Sequence, residues 1–302
     1  MTFSTPLQDG TTNTLVERVT VRGDWLYPNN DGIDPQSGEN ITIQDCDVDV
    51  ADDGVCPKDS AEFGPLINVP VRRTRIRSKS HAIKFGSNTD MAMAHMVFDD
   101  IDIHDSNEGL SIQQRSGGDI FDITFSNIKL ETRYVACRWW GNGGPIWISS
   151  EPRQTGDKIG TSRGIRFINI TARGENGAMI SGGSPYALAG GVAPHTVRDI
   201  AFKNVSITIA NWTAYDNHGR DYRPCINCGN IGPLRPYCGG RFPSKTDGLF
   251  LENVDGATLE NVRVMFEGSS SSPFPSYWGD CYGSGANVTN VRHVGGAPAC
   301  TH

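Results

Sequence analysis

A short phrase recurs along this chain at a nearly constant spacing, and this period restricts the fold more than any other feature. The phrase consists of an apolar residue, any residue, Asp or Asn, an apolar residue, any residue and a last apolar residue. Clear copies begin at Ile43, Phe98, Phe125, Phe167, Phe202 and Leu259, and weaker copies begin at Val16, Val71 and Val288. Successive copies are 27, 28, 27 and 27 residues apart at first, and then 42, 35, 57 and 29.

The alternation of apolar and polar residues inside each phrase predicts a β-strand. About ten strand-turn-strand coils of this length, stacked on one another, predict an all-β fold, a right-handed parallel β-helix. Its Phe and Ile residues would form an interior stack, with Asn or Asp at a recurring turn. Leucine-rich repeats are the rival, but their Leu-x-x-Leu-x-Leu pattern is absent.

No linker divides the chain, so a single β-helix domain is expected over residues 1–302. Breaks in the rhythm predict loop insertions at about 134–153 and 211–245. The repeat begins near the first residue without a capping segment, which predicts that an N-terminal part is missing or unusually short. We expect a monomer, with self-assembly conceivable through exposed coil ends.

Composition narrows the class of partner. The net charge of −7 argues against a nucleic-acid binder, and no apolar run of about 18 residues predicts a membrane span. Eight cysteines among 302 residues indicate an oxidising compartment. We therefore expect a secreted protein whose export signal is removed or lies upstream, without nucleic-acid or membrane partners.

Each coil also carries a second short strand that opens on Gly or another small residue. Equivalent positions of successive coils lie about 4.8 Å apart, so residues distant in sequence form columns. The residues that precede the small one form the first column: Asp31, Asp53, His81 and Glu108. The residues two positions after the small one form the second column: Asp34, Cys56, Lys84, Ser111 and Trp147.

Stacking Asp31 over Asp53, with Asp52 adjacent, brings three carboxylates together. Like charges raise the pKa of at least one of them, and a protonated carboxyl can act as a general acid while an ionised neighbour activates water. This division of roles is the chemistry of glycoside hydrolysis. Ca²⁺ bound by the same oxygens is an alternative. Isolated aspartates are interpreted as turn residues that satisfy backbone amides: Asp34, Asp45, Asp99 and Asp100.

The residues around these aspartates resemble a known family. The segment 29–34, Asn-Asn-Asp-Gly-Ile-Asp, resembles the Asn-Thr-Asp-Gly-Ile-Asp motif of glycoside hydrolase family 28, the polygalacturonase family. Asp52 and Asp53 follow Asp31 by 21 and 22 residues, as in that family, and Lys58 matches a family lysine. The segment 80–87 resembles its Gly-His-Gly-Ile-Ser-Ile-Gly-Ser stretch.

The resemblance implies inverting hydrolysis of a pectin-like or other acidic polysaccharide, without cofactor or metal. It implies that Asp53 is the general acid, that Asp31 and Asp52 activate water, and that His81 positions or tunes the acid pair. The family's Arg-Ile-Lys motif, however, falls on residues 111–113, Ser-Ile-Gln. Candidate substrate contacts are therefore spread over several coils: Lys58, Lys84, Gln113, Arg115, Trp139 and Trp140.

This departure leaves three other function classes open. One is a Ca²⁺-dependent polysaccharide lyase, another a glycan-binding solenoid without activity, and the third a self-assembling structural β-helix. Trp147 is expected to pack rather than to bind sugar.

The cysteines and glycosylation motifs are less specific. Disulfides are favoured over zinc for a late group of cysteines: Cys225, Cys228, Cys238, Cys281 and Cys300. Cys46 and Cys56 are expected to fill the interior. Four Asn-x-Ser/Thr motifs coincide with the repeat and are explained by it, which leaves Asn211 as the expected glycosylation site.

Overall fold

The computed structural model describes residues 5–6, 10–135, 141, 143–150, 152, 158–182, 196–210, 247–267 and 279–301. Across these residues the secondary structure consists of 21 strands and no helix. The strands of the first half are β1 Thr5–Pro6, β2 Thr11–Glu17, β3 Thr20–Arg22, β4 Ile33–Asp34, β5 Gly38–Gln44, β6 Asp47–Val50, β7 Leu66–Ile67, β8 Pro70–Ser78, β9 His81–Phe85, β10 Met93–Ser106 and β11 Glu108–Gln114. Those of the second half are β12 Ile120–Thr132, β13 Ile146–Ser150, β14 Ser162–Gly174, β15 Ala178–Ser181, β16 Val197–Ile209, β17 Leu249–Glu252, β18 Val254–Phe266, β19 Tyr282–Ser284, β20 Thr289–Val294 and β21 Ala299–Thr301.

The strands form three sheets, and each named strand pairs in parallel with strands of neighbouring coils. A 13-stranded sheet contains the long strands β10, β12, β14, β16 and β18. A six-stranded sheet runs in the order β19-β17-β15-β13-β11-β9, and β1 pairs with β4. Each turn of the chain thus lays one coil on the previous one, which confirms the predicted right-handed parallel β-helix.

The core is a continuous stack of apolar side chains inside the coils. Phe98, Phe125, Phe167 and Phe202 occupy the same position of four successive coils. Their ring centroids are 5.0, 5.2 and 5.0 Å apart, close to the strand spacing, and the rings stack nearly parallel. Because each coil adds one large residue per position, the core stays thin while the chain grows in length. The phenylalanine stack confirms the predicted interior.

The recurring turn is held by a ladder of asparagines. Asn127, Asn169, Asn204 and Asn261 have positive φ angles of 50–55°, a conformation that Asn tolerates better than most residues. From Asn169 onward each Nδ2 donates to the Oδ1 of the preceding ladder asparagine, at 2.9 to 3.0 Å. The repeat therefore accounts for the glycosylation motifs at Asn169 and Asn204, as predicted.

The cysteines divide as expected where they are described. Cys46 and Cys56 are buried and free, and Cys281 forms a disulfide with Cys300, with their Cα atoms 5.7 Å apart. Cys225, Cys228, Cys238, Asn211 and the whole predicted insertion at 211–245 lie outside the described residues. In the predicted insertion at 134–153, eight residues lie outside them, and residues 146–150 form β13 of the six-stranded sheet. In the part of the chain that the structure describes, no helix has the length and apolar character that a membrane crossing requires.

Candidate active site

The first column of the sequence analysis exists in the structure. Ile33, Val55, Ile83 and Leu110 pair across successive coils, so the residues two positions earlier stack in the same order. Close packing explains why glycine follows the aspartates: a Cβ on Gly32 would lie 2.3 Å from the Gly54 carbonyl oxygen. The Asp-Gly pairs therefore let two coils approach closely at this column.

The column opens into a cleft of about 390 Å³ beside the six-stranded sheet. Three aspartates, two lysines and several neutral polar residues line it: Asn29, Asp31, Gln36, Asp52, Asp53, Lys58, Lys84, Gly86, Ser87, Asn88 and Gln113. The cleft thus collects residues from four coils that are up to 84 positions apart in the sequence.

Asp53 is buried and surrounded by donors. Its Oδ2 accepts a hydrogen bond from Lys84 Nζ at 2.6 Å, and its Oδ1 accepts one from Ser80 Oγ at 3.0 Å and lies 3.1 Å from His81 Nδ1. Burial acts to raise the pKa of Asp53, but Lys84 and His81 outweigh burial and hold the pKa below its usual range. Asp53 is therefore a carboxylate at neutral pH.

Asp52 has the opposite environment although it is the adjacent residue. Burial, together with the negative charges of Asp53 and Asp31, raises the pKa of Asp52 to about 6. Its Oδ2 accepts a single backbone hydrogen bond, from Asn29 N–H at 2.8 Å. The Asn30 side-chain oxygen accepts the backbone N–H groups of Ala51 and Asp52, both at 3.0 Å, which fixes this turn. Of the two adjacent carboxyl groups, Asp52 is therefore the one that takes up a proton at the higher pH.

Asp31 belongs to a second ion-pair group. Lys58 Nζ donates to Asp31 Oδ2 at 2.7 Å and to Asp34 Oδ2 at 2.6 Å. Burial raises the pKa of Asp34 to about 7, against the lowering effect of Lys58. The interpretation of Asp34 as a turn residue that binds backbone amides was therefore wrong. The sequence signal for this role was that Asp34 stands in the second column, which runs beside the first column that contains Asp31.

His81 contacts Asp53 from the buried side of the site and stacks on Trp147, and neither ring is among the residues that line the cleft. His81 is fully buried, and burial lowers the pKa of its imidazole despite the neighbouring carboxylate. The Trp147 ring stacks on it with a centroid distance of 5.5 Å. Trp147 itself is buried in a small cluster with Met179 and Phe250, in agreement with the prediction that it packs.

The structure places the predicted substrate contacts unevenly. Lys58, Lys84 and Gln113 line the cleft, whereas Arg115 is not among its lining residues. Both lysines are bound to carboxylates of the site itself, which spacing alone did not reveal. Trp139 and Trp140 lie outside the described residues. Four neutral lining residues were not singled out from the sequence for a role in the cleft: Asn29, Gln36, Ser87 and Asn88.

One group of side chains has a spacing that a metal ion could use. Oxygens of Asp31 and Asp53 and the Cys56 sulfur lie within 4.8 Å of one another. Lys58 and Lys84 already bind the two carboxylates, and burial raises the pKa of the Cys56 thiol well above its ordinary value. A hard cation such as Ca²⁺ prefers several oxygen ligands, so this donor set suits it poorly.

Comparisons with known proteins agree with this geometry. A probable polygalacturonase from Vitis vinifera is 26% identical over 240 residues, which cover 73% of this chain and 47% of that protein. An endo-polygalacturonase from Pectobacterium carotovorum is 26% identical over 168 residues, 55% of this chain and 39% of that protein. The chain thus spans less than half the length of these relatives.

A solved structure and a family model extend the comparison. The structure of a hyperthermoactive exopolygalacturonase from Thermotoga maritima superposes with a TM-score of 0.53 at 21% identity, covering 66% of this chain and 43% of that one. This likeness supports the β-helix fold. Residues 6–218 match the model of glycosyl hydrolases family 28. Because that match covers more than two thirds of the sequence, the chain belongs to glycosyl hydrolases family 28.

Proposed function

We propose that this protein is a secreted glycoside hydrolase that cleaves a pectin-like polysaccharide by single displacement, with inversion and without a cofactor. One observation carries the proposal: two adjacent carboxyl groups in one cleft have pKa values shifted in opposite directions, to about 6 for Asp52 and below the usual range for Asp53. Such a separation is what divides acid and base roles in an active site. The disulfide between Cys281 and Cys300 is consistent with secretion.

In this proposal Asp52 is the general acid that protonates the oxygen of the leaving sugar. Asp31 and Asp53 together hold and deprotonate the attacking water, since oxygens of these two carboxylates lie within 4.8 Å and can share one molecule. The proton moves from Asp52 to the leaving oxygen as the bond between this oxygen and the anomeric carbon breaks. The water oxygen forms the new bond at that carbon, and one proton of the water passes to the carboxylate pair. His81 and Lys84 position Asp53 and keep it ionised.

The roles therefore differ from those implied by the family resemblance, which gave the acid role to Asp53. Lys84 at 2.6 Å stabilises the ionised form of Asp53, and a group held ionised is a poor proton donor. Asp52 meets no lysine at that distance among the described ion pairs.

The test compares substitutions of the two adjacent aspartates on two kinds of substrate. Asp52→Asn should lower kcat for reducing-end release from pectic polysaccharide by about 10³-fold, because general-acid catalysis is lost. On an aryl glycoside of the matching sugar, whose leaving group needs no proton, Asp52→Asn should keep most of its activity. Asp53→Asn should lose activity on both substrates.

Three outcomes would contradict the proposal. Full activity of Asp52→Asn on the polysaccharide would exclude its role as the acid. Unsaturated products that absorb in the near ultraviolet, and that disappear with a chelator, would identify a lyase. Binding without any product from a panel of pectic and other polysaccharides would indicate a glycan-binding solenoid.

A further inference from the structure

We infer that the sugar ring bound over Asp31, Asp52 and Asp53 carries no ionised carboxylate, so that cleavage occurs at a neutral or methyl-esterified unit of the polysaccharide. This inference rests on the proposed function and specifies its substrate class. It is carried by the charges that line the cleft and by the partners that those charges already have.

Each lysine that lines the cleft already forms an ion pair with an aspartate of the site. Among the described lining residues, Lys58 and Lys84 are the two that are positively charged. Lys84 lies 2.6 Å from Asp53 with its side chain 9% exposed, and Lys58 bridges Asp31 and Asp34 at 2.7 and 2.6 Å. A sugar carboxylate would have to share one of these ammonium groups with the aspartate that the lysine already neutralises. The cleft would then hold one anion without a compensating cation, which is unfavourable.

An acidic sugar would also meet no surplus of positive charge in the cleft. With Asp52 protonated as the general acid, the carboxylates of Asp31 and Asp53 balance Lys58 and Lys84, and Asp34, which shares Lys58, adds negative charge when it is ionised. His81 adds no compensating charge at neutral pH, because burial lowers the pKa of its imidazole. A further anion placed among these groups would raise the cost of ionising each of them.

The rest of the lining suits uncharged sugar groups. Its other polar side chains are amides and a hydroxyl, from Asn29, Gln36, Ser87, Asn88 and Gln113. Such groups both donate and accept hydrogen bonds, as sugar hydroxyls and ester carbonyls require. A small number of polar groups placed in this way is commonly enough to fix the orientation of a bound ligand.

Three forms of one polymer test the inference on the unaltered protein: polygalacturonate, its methyl-esterified form and its carboxyl-reduced form. At least one of the two uncharged forms should be hydrolysed with a kcat/KM at least about tenfold higher than polygalacturonate. Equal or faster hydrolysis of polygalacturonate would overturn the inference and leave the proposed function intact. Release of reducing ends from none of the three would overturn the proposed function itself.

A charge added to the cleft provides a second test. Gln113→Lys should shift the ratio of kcat/KM for polygalacturonate to kcat/KM for its uncharged forms by about tenfold toward polygalacturonate. The reason is that the new lysine supplies a positive charge that no carboxylate of the site already balances. Gln36→Lys, at a half-buried position of the same cleft, repeats the test if the first variant does not fold. Thr171→Lys adds the same charge on the exposed face of β14 and should leave the ratio unchanged. Unchanged ratios in both folded cleft variants would contradict the inference.

Discussion

Two columns of stacked side chains run along this solenoid with similar spacing and opposite chemistry. In the turn ladder, Asn169, Asn204 and Asn261 each donate to the asparagine one coil earlier at 2.9 to 3.0 Å. In the cleft, the column runs through Asp31, Asp53 and His81, and its bonds go mainly to residues outside the column, Lys58 and Lys84 among them.

The difference follows from what each side chain can donate. An amide has both a donor and an acceptor, so identical amides satisfy one another at every coil, without limit on their number. An ionised carboxylate only accepts, so stacked carboxylates repel and need cations from neighbouring columns. The same backbone geometry therefore gives a stabilising ladder in one place and a set of titratable groups with separated pKa values in the other.

The largest stability effect should come from removing a cation of the cleft. Lys84→Met leaves Asp53 buried and uncompensated, and should lower the free energy of unfolding at neutral pH by about 3 kcal/mol. Arg22→Met removes a pair of the same length, 2.6 Å, in which both side chains are exposed, and should cost less than about 1 kcal/mol. Urea unfolding of both variants measures the contrast. Equal losses would show that the cleft pair is no different from a surface pair.

An effect of similar size, with a definite sign in pH, should separate Asp52 from Asp53. Because the folded-state pKa of Asp52 is raised from 3.8 to about 6, its ionisation costs stability as the pH rises through that interval. Asp52→Asn should therefore stabilise the protein by about 3 kcal/mol at pH about 8, and the gain should vanish at pH about 3.

Asp53→Asn is the matched comparison and should show the opposite sign. The pKa of Asp53 is lowered in the folded protein, so its ionised form contributes stability above the unfolded-state pKa, and this contribution is lost as the pH falls. The variant should be less stable than the parent at pH about 8, with a difference that shrinks in acid. If both variants shift stability in the same direction, the assignment of the proton to Asp52 is wrong.

The smallest effect should come from the ladder. Asn204→Gly removes two exposed hydrogen bonds, at 3.0 and 2.9 Å, and should cost about 1 kcal/mol with activity unchanged. Asn204→Ala should cost about 1 kcal/mol more, because alanine disfavours the positive φ angle of 54°. A loss of activity in either folded variant would link the ladder to the cleft and remove the contrast between the two columns.

Much of the fold could be predicted because a sequence repeat specifies which residues lie next to one another in successive coils. The positions of Phe98, Phe125 and Phe167 in equivalent phrases specify which residues stack, and the structure pairs them in that register. The same reasoning placed Asp53 directly beside Asp31 and His81. Asp34 was misjudged because a turn aspartate and an ion-paired aspartate look alike in a single coil.

The sequence by itself determined the coil, the interior stack and the column in which the aspartates meet, because these depend on period and alternation alone. Only the tertiary structure decided which of the two adjacent carboxyl groups has the raised pKa and which cations are already bound. A pKa depends on burial and on distances of a few ångströms to groups in other coils, such as Lys84 at 2.6 Å from Asp53. Spacing along the chain fixes which coil a lysine belongs to, but not which carboxylate its ammonium group reaches.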